Sequence, residues 1–432
     1  MKTFDKISSF LPQGEKYLSA ENSELMLYKD CDKSDFMNVT NALLKAGAES
    51  VYENTVDGNE FSFFCFECEN VSCSFSKNER EIRVIAETGY LFPDFNKTEA
   101  KGECVPTLFQ FETNHSLIDC GMCYILKNRD GSFVLIDSGH QYSLNDSERI
   151  HAFLRERTAE NEKIRIAGWL FTHGHDDHIV QFTEYLKRFS DDTVIDGLYY
   201  NFVSCHHRDS GFWDPELERY CNEFYDEIAL HPEISVYRVH TGMEFYIGSF
   251  KVTALCLHED VFPKSIKDYN DSSLVTVFSA AGNRIMFPGD AAVEESKILE
   301  KRYSAALKCD IVQCSHHGHV GTSPDFYRSV GARLALIPNT KIKYDEEFAR
   351  IEADRVMESI ASEVHISSDG TVEIPLPYNK DTVKVYSDET FEDFDGIYKL
   401  WGYSYTDEFK SALYKRYLER GGKPIEKYEN IL

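Results

Sequence analysis

Short apolar runs alternate along the chain with polar stretches of helical spacing, and the order of the two changes near Val105. Before that point the spacing predicts a helix over residues 34–46, followed by strands at 61–67 and 82–86 with turn signals at Asp57-Gly58 and Lys77-Asn78. Residues 1–102 are therefore expected to form a small α+β domain. No His, Asp or Glu in this part stands at ligand spacing, so it is read as an accessory or dimerisation domain, which makes a homo-oligomer one expected assembly.

From Val105 the rhythm becomes strand, polar loop, helix. Residues 123–126 and 132–136 predict a hairpin about Asn128-Arg129-Asp130-Gly131, with Asp137 at the end of its second strand. A helix is expected over 145–157, a strand over 164–171 and a second helix over 179–189. Further strands are expected at 194–200, 250–257, 273–279, 284–287, 310–314, 334–337 and 371–374, with helices at 215–229, 294–306 and 345–362 between several of them. Strands and helices in this mixed order imply a layered α/β sandwich over residues 103–383. The tail, 384–432, is expected to be a helical extension with its helix near 407–420.

Composition narrows the class. The 432 residues carry 46 basic against 73 acidic side chains, a formal charge of −27, with 42% hydrophobic residues, which suits a folded protein of two or three domains. No apolar run approaches the roughly 18 residues of a membrane span, and the first residues lack the apolar core of a secretory signal. Twelve scattered cysteines fit a reducing compartment, so a cytoplasmic location is expected. The pairs Cys65/Cys68 and Cys120/Cys123 lie in strand-like runs, where a three-residue offset turns the side chains to opposite faces and disfavours a shared zinc. So acidic a chain, with no Lys/Arg cluster to offset it, repels phosphodiester backbones at long range. A small-molecule substrate is the expected partner, and long nucleic acid is not.

The chemistry concentrates at His173, His175, Asp177 and His178, an H-x-H-x-D-H run between a predicted strand and helix. Imidazole nitrogen and carboxylate oxygen are the donors that zinc, manganese and iron take in hydrolytic sites, where an open position supplies hydroxide near neutral pH.

With this motif the sequence resembles the metallo-β-lactamase-fold hydrolase superfamily over roughly residues 105–376, and further motifs follow in that family's order. The resemblance implies a four-layer αββα sandwich holding two divalent metal ions, zinc foremost, with manganese or iron as alternatives. Asp137 matches the acidic position that supports the ligands from behind; read alone it would be a turn residue. Asp290, in Phe287-Pro288-Gly289-Asp290, matches the carboxylate that bridges two metals; read alone it would be a helix N-cap. Cys314-Ser315-His316-His317-Gly318 matches the late histidine motif. His316 is the implied ligand there, with His317 either taking its place or serving as proton donor and substrate contact.

One departure matters. The family's middle histidine is missing, and Tyr269-Asn270-Asp271-Ser272-Ser273-Leu274-Val275 stands in its stretch, with Asp271 in its place and Asn270 before it. This form, with Thr322 and Ser323 beyond the His-His-Gly and Asp369-Gly370-Thr371 closing the domain, resembles the branch containing the hydrolase domain of bacterial DNA-uptake channel proteins. The implied first metal has His173, His175 and Asp290, with Asp271 or water as a further ligand; the second has Asp177, His178, Asp290 and His316; Asp271, Asn270 and Asp137 are the candidates for an additional ligand or for support behind the ligands. In the family Asp177 also orients the attacking hydroxide, and His317 is the candidate for helping the leaving group. The implied activity is a phosphodiesterase on small or single-stranded substrates. A lactone, ester, thioester or amide hydrolase is the alternative, and a non-catalytic or di-iron metal-binding protein the second. His140, His206, His207 and His258 are expected to be solvated or structural.

Overall fold

The computed structural model describes residues 15–386, apart from 21–22, 67–68, 114–120, 141–145, 204–214, 265, 267, 340–343 and 346–347, together with a few positions between 411 and 431. Three sheets organise these residues.

The N-terminal sheet has six antiparallel strands, and the helix Lys33–Lys45 lies on one face of it. The helix starts where Asp32 accepts from the backbone of Ser34 and Asp35 while Asp35 bonds back to the Asp32 amide, a reciprocal cap that satisfies otherwise orphaned donors. Along the strand Asn59–Phe66 the phenylalanines divide between the faces: Phe64 and Phe66 pack beneath the helix, whereas Phe61 and Phe63 join the core of the next unit. A sheet buried on both faces is an integral layer. Phe61 also lies against Gly242, where an added Cβ would fall 2.0 Å from the ring.

The other two sheets pack face to face. The nine-stranded sheet contributes Leu126, Ile136 and Leu170 to the shared core, and the seven-stranded sheet Val252, Phe278 and Ile285. Helices Asp146–Glu156, Asp176–Phe189 and Pro215–Ala229 pack with the outward residues of the first, among them Trp169 and Phe171; Val293–Arg302, Pro324–Val330 and Glu352–Ile360 pack with those of the second. This is the αββα sandwich of a metallo-β-lactamase fold. The strand Thr371–Pro375 returns to pair antiparallel with Thr107–Gln110, and Lys384–Tyr386 adds beyond it, so the first sheet extends past residue 383.

Several elements differ from expectation at their ends. The run expected as one strand over 194–200 is two, Thr193–Ile195 and Gly197–Tyr200. Within the span expected as one helix, 345–362, a short turn at Phe348–Arg350 precedes the helix Glu352–Ile360. Most of the helix expected over 407–420 lies outside the described residues, as do His206, His207, Cys68 and Cys120. Among the described residues no helix is long and apolar enough to cross a membrane.

Buried ion pairs join the N-terminal sheet to the sandwich. Glu87 bonds to His240 at 2.7 Å and to Arg238 at 3.1 Å, and the other ring nitrogen of His240 lies 3.0 Å from Glu259. Burial works against a charged His240, but the two carboxylates outweigh it and push its pKa up to about 10. Arg83 donates to the backbone carbonyls of Glu259 and Phe262, while Arg302 pairs with both Glu79 and Asp260. Cations and anions meet pairwise, which is the condition under which buried charges are tolerated.

Candidate metal centre

The strand Ile164–Leu170 delivers His173 and His175 to one end of the sandwich, and the helix Asp176–Phe189 begins at once, placing Asp177 and His178 in its first turn. Its apolar stripe, Ile179, Phe182 and Leu186, is buried and fixes the turn against the sheet. The strand Asn283–Phe287 brings in Asp290 through Gly289, which has φ +59° and where a Cβ would fall 2.8 Å from Thr172. Only glycine lets the Asp290 turn approach the His173 loop this closely.

Two groups of donor atoms result. Asp177, His178, Asp290 and His317 form one, and His173, His175 and Asp290 the other, with the atoms of each group within 4.8 Å of one another. Asp290 is common to both: its Oδ2 lies 3.2 Å from Nε2 of His178, 3.3 Å from Nε2 of His317 and 3.9 Å from Nε2 of His173. His317 Nε2 also lies 2.9 Å from Asp177, and His173 Nε2 lies 2.9 Å from His175 Nδ1.

The late pair differs from expectation. It is His317, not His316, whose ring enters the cluster, while His316 Nε2 faces Asn270 Nδ2 at 3.2 Å. Both residues, and Gly318 after them, have positive φ, +50°, +56° and +86°. Two left-handed histidines in succession cost roughly 1–2 kcal/mol each. They are held by the His316 amide on the Gly289 carbonyl at 3.2 Å and by Asn339 on the His317 carbonyl at 2.8 Å. The His317 Nδ1 bonds to the Pro338 carbonyl at 3.0 Å, which turns the Nε2 lone pair toward the cluster.

Asp271 is not a ligand in this arrangement. Its Oδ1 accepts from the amides of Glu294 and Glu295 at 3.1 Å each, capping the helix Val293–Arg302, whose own N-cap, Ala292, has no side-chain acceptor. Burial raises its pKa to about 6. Asp137 instead stands behind the histidines: it accepts from the Thr172 amide at 2.8 Å and hydroxyl at 2.7 Å and bonds to His178 Nδ1 at 2.7 Å. Thr172, which also lies 3.1 Å from His173 Nδ1, was not singled out by the sequence; its position directly before the motif is the signal that could have found it. Tyr269, its ring tilted against those of His173 and His175 with centroids 6.0 and 5.0 Å away, had no such signal. His258 begins the short helix His258–Val261 and His140 lies in a buried loop; neither enters the two donor groups.

The residues fit a pair of cations. Asp290 Oδ1 is buried and has no hydrogen-bond partner among the described residues, an expensive state for a carboxylate oxygen that a bound ion would relieve. Burial opposes charge on both His317 and Asp290, yet Asp290 pushes His317 up to about 10, and His317 and His178 hold Asp290 well below the usual carboxylate range. His173 goes the other way, its pKa depressed by burial and by His178.

Residues 120–324 match the family described as the metallo-beta-lactamase superfamily. No curated protein matches the chain in sequence. Among solved structures, the metallo-beta-lactamase fold protein YhfI from Bacillus subtilis is 11% identical over 60% of this chain and 96% of its own, with a TM-score of 0.37. Unliganded yeast PDE1 is 11% identical over 61% and 98%, with a TM-score of 0.36. The short form of human tRNase Z is 12% identical over 60% and 95%, with a TM-score of 0.35. The motif-bearing segment, residues 120–324, is thus similar to the metallo-beta-lactamase superfamily, and the αββα architecture agrees with that fold.

Proposed function

We propose that the chain is a dinuclear hydrolase whose substrates are small phosphodiesters. The observation that carries the reading is the position of Asp290, whose single carboxylate oxygen lies within 3.9 Å of imidazoles from both donor groups. His173, His175 and Asp290 would hold one divalent ion, and Asp177, His178, Asp290 and His317 the other, zinc foremost. Such a pair, when bound, would supply the charge that acidifies a water molecule and neutralises a phosphoryl or acyl oxygen. Asp177, anchored by His317, is placed to orient that water, and Asp137 keeps His178 in the tautomer that presents Nε2. His316 stays outside the cluster, its Nε2 facing Asn270.

The choice of a small diester rests on charge. At −27 the chain gains nothing from the remote phosphates of a polymer, and contacts near the ions must supply the affinity. The Asn270 stretch and the closing Asp369-Gly370-Thr371 support kinship with the DNA-uptake branch, and the cysteine content supports a cytosolic setting.

Metal content and kinetics test the reading together. The protein should bind about two ions and Asp290→Ala at least one fewer; equal content in the two proteins would remove the bridging role. A chromogenic diester should be cleaved in preference to esters and lactones. At low salt a dinucleotide should have a higher kcat/KM than long DNA or RNA, with the gap narrowing as salt rises. Preference for the long substrate at low salt would overturn the small-diester assignment.

A further inference from the structure

Asp271 is committed to a helix terminus, so the first donor group, His173, His175 and Asp290, has three protein donors from a chain whose middle histidine is missing. Beside it stands Asn270. Its side chain is 6% exposed, and its Oδ1 is buried and meets no hydrogen-bond donor among the described residues. A buried amide oxygen left unpaired costs on the order of 1–3 kcal/mol, so the position calls for a partner.

Which atom of the amide is the oxygen follows from His316. Its Nδ1 lies 2.8 Å from the Val320 carbonyl, which can only accept, so Nδ1 carries the hydrogen and Nε2 the lone pair. The amide must therefore present its NH2 to Nε2, 3.2 Å away, and the oxygen is the end left over. Neighbouring contacts put the residue beside the metal centre: Tyr269, which precedes it, packs against His175, and His316 bonds through its backbone to Gly289 next to Asp290.

We propose that Asn270 Oδ1 is the fourth protein ligand of the first metal, taking the place of the missing imidazole. This rests on the dinuclear reading above. A neutral amide oxygen is a harder donor than imidazole, so the substitution tilts the first site from zinc toward manganese, which carbonyl and carboxylate oxygens suit.

The test uses the full chain, stripped of metal and reloaded with zinc or manganese, with occupancy read by elemental analysis and affinity by chelator competition. Asn270→Ala should lower the affinity of one ion at least tenfold and leave the other unchanged. Asn270→Asp, which keeps an oxygen at the same reach, should retain both ions, and remains informative if the alanine variant does not fold. Asn270→His should raise the preference for zinc over manganese at that site about tenfold or more. In cobalt-loaded protein the visible spectrum should change in the alanine and histidine variants. Two ions at parent affinity with an unchanged cobalt spectrum in Asn270→Ala would overturn the proposal, as would loss of an ion in Asn270→Asp equal to that in Asn270→Ala. A wild-type protein that takes up fewer than two ions would instead defeat the dinuclear reading itself.

Discussion

Oδ2 of Asp137 lies 2.7 Å from Nδ1 of His178, in a pocket that leaves neither residue any exposed surface. Asp137 reaches it from a left-handed backbone position, φ +54°, at the end of the strand Phe133–Ile136, with its amide on the Leu170 carbonyl and its own carbonyl on the Trp169 indole. The bonds to the carboxylate come from Thr172, before the histidine motif, and from His178, at its end.

That relationship gives the first prediction. Asp137→Ala should lower metal affinity about 10–100-fold, the range found when a partner behind a ligating histidine is removed. Chelator competition would measure it. Parent affinity in a folded variant would mean that His178 needs no orienting partner.

Asp271→Ala should behave in the opposite way. Loss of the cap on Val293–Arg302 should cost about 0.5–2 kcal/mol, read from urea unfolding of the metal-free protein, with the number of bound ions unchanged. An ion lost with no change in stability would return Asp271 to the ligand set.

Glu87→Ala should destabilise the whole chain. It strips His240 of one of two buried carboxylates and leaves Arg238 without its partner, a loss of about 3–5 kcal/mol when one member of a buried pair is removed. Urea unfolding should show a single transition at lower denaturant. Two separate transitions, or a change below about 1 kcal/mol, would mean that the N-terminal sheet is only loosely attached.

Asp354 sets a pH dependence. Its carboxyl, beside the Cys314 thiol at 3.6 Å, is pushed up by burial to about 7. Between about pH 4 and pH 7 the folded protein therefore keeps a proton that the unfolded chain has released, and this group's contribution falls by about 1.4 kcal/mol for each pH unit gained. Asp354→Asn removes the slope. Its stability relative to wild type should be more favourable at pH 8 than at pH 5, and an equal difference at the two values would show that Asp354 titrates normally.

Much of the centre was legible in the sequence. His173, His175, Asp177 and His178 lie within six residues, so local geometry forces them together, and Asp290 follows a Pro-Gly turn at a strand end. Where the reading went astray, the deciding interaction was distant in sequence or hidden in the backbone. Asp271 serves a helix that begins more than twenty residues later, and nothing nearby announces it. His316 and His317 are chemically identical neighbours; the left-handed pair of dihedrals that turns one inward has no propensity signature. Glu87, His240 and Glu259 lie far apart in the sequence, so their pairing shows only once the fold brings them together.

The return of Thr371–Pro375 to Thr107–Gln110 bears on how the protein is made. On a ribosome the H-x-H-x-D-H loop emerges early, supported by a sheet that still lacks this strand, while His317 and the strands around it are yet to be translated. A nascent chain can offer an ion only fragments of the centre. The nine-stranded sheet that carries the H-x-H-x-D-H loop therefore closes only after translation has passed residue 375.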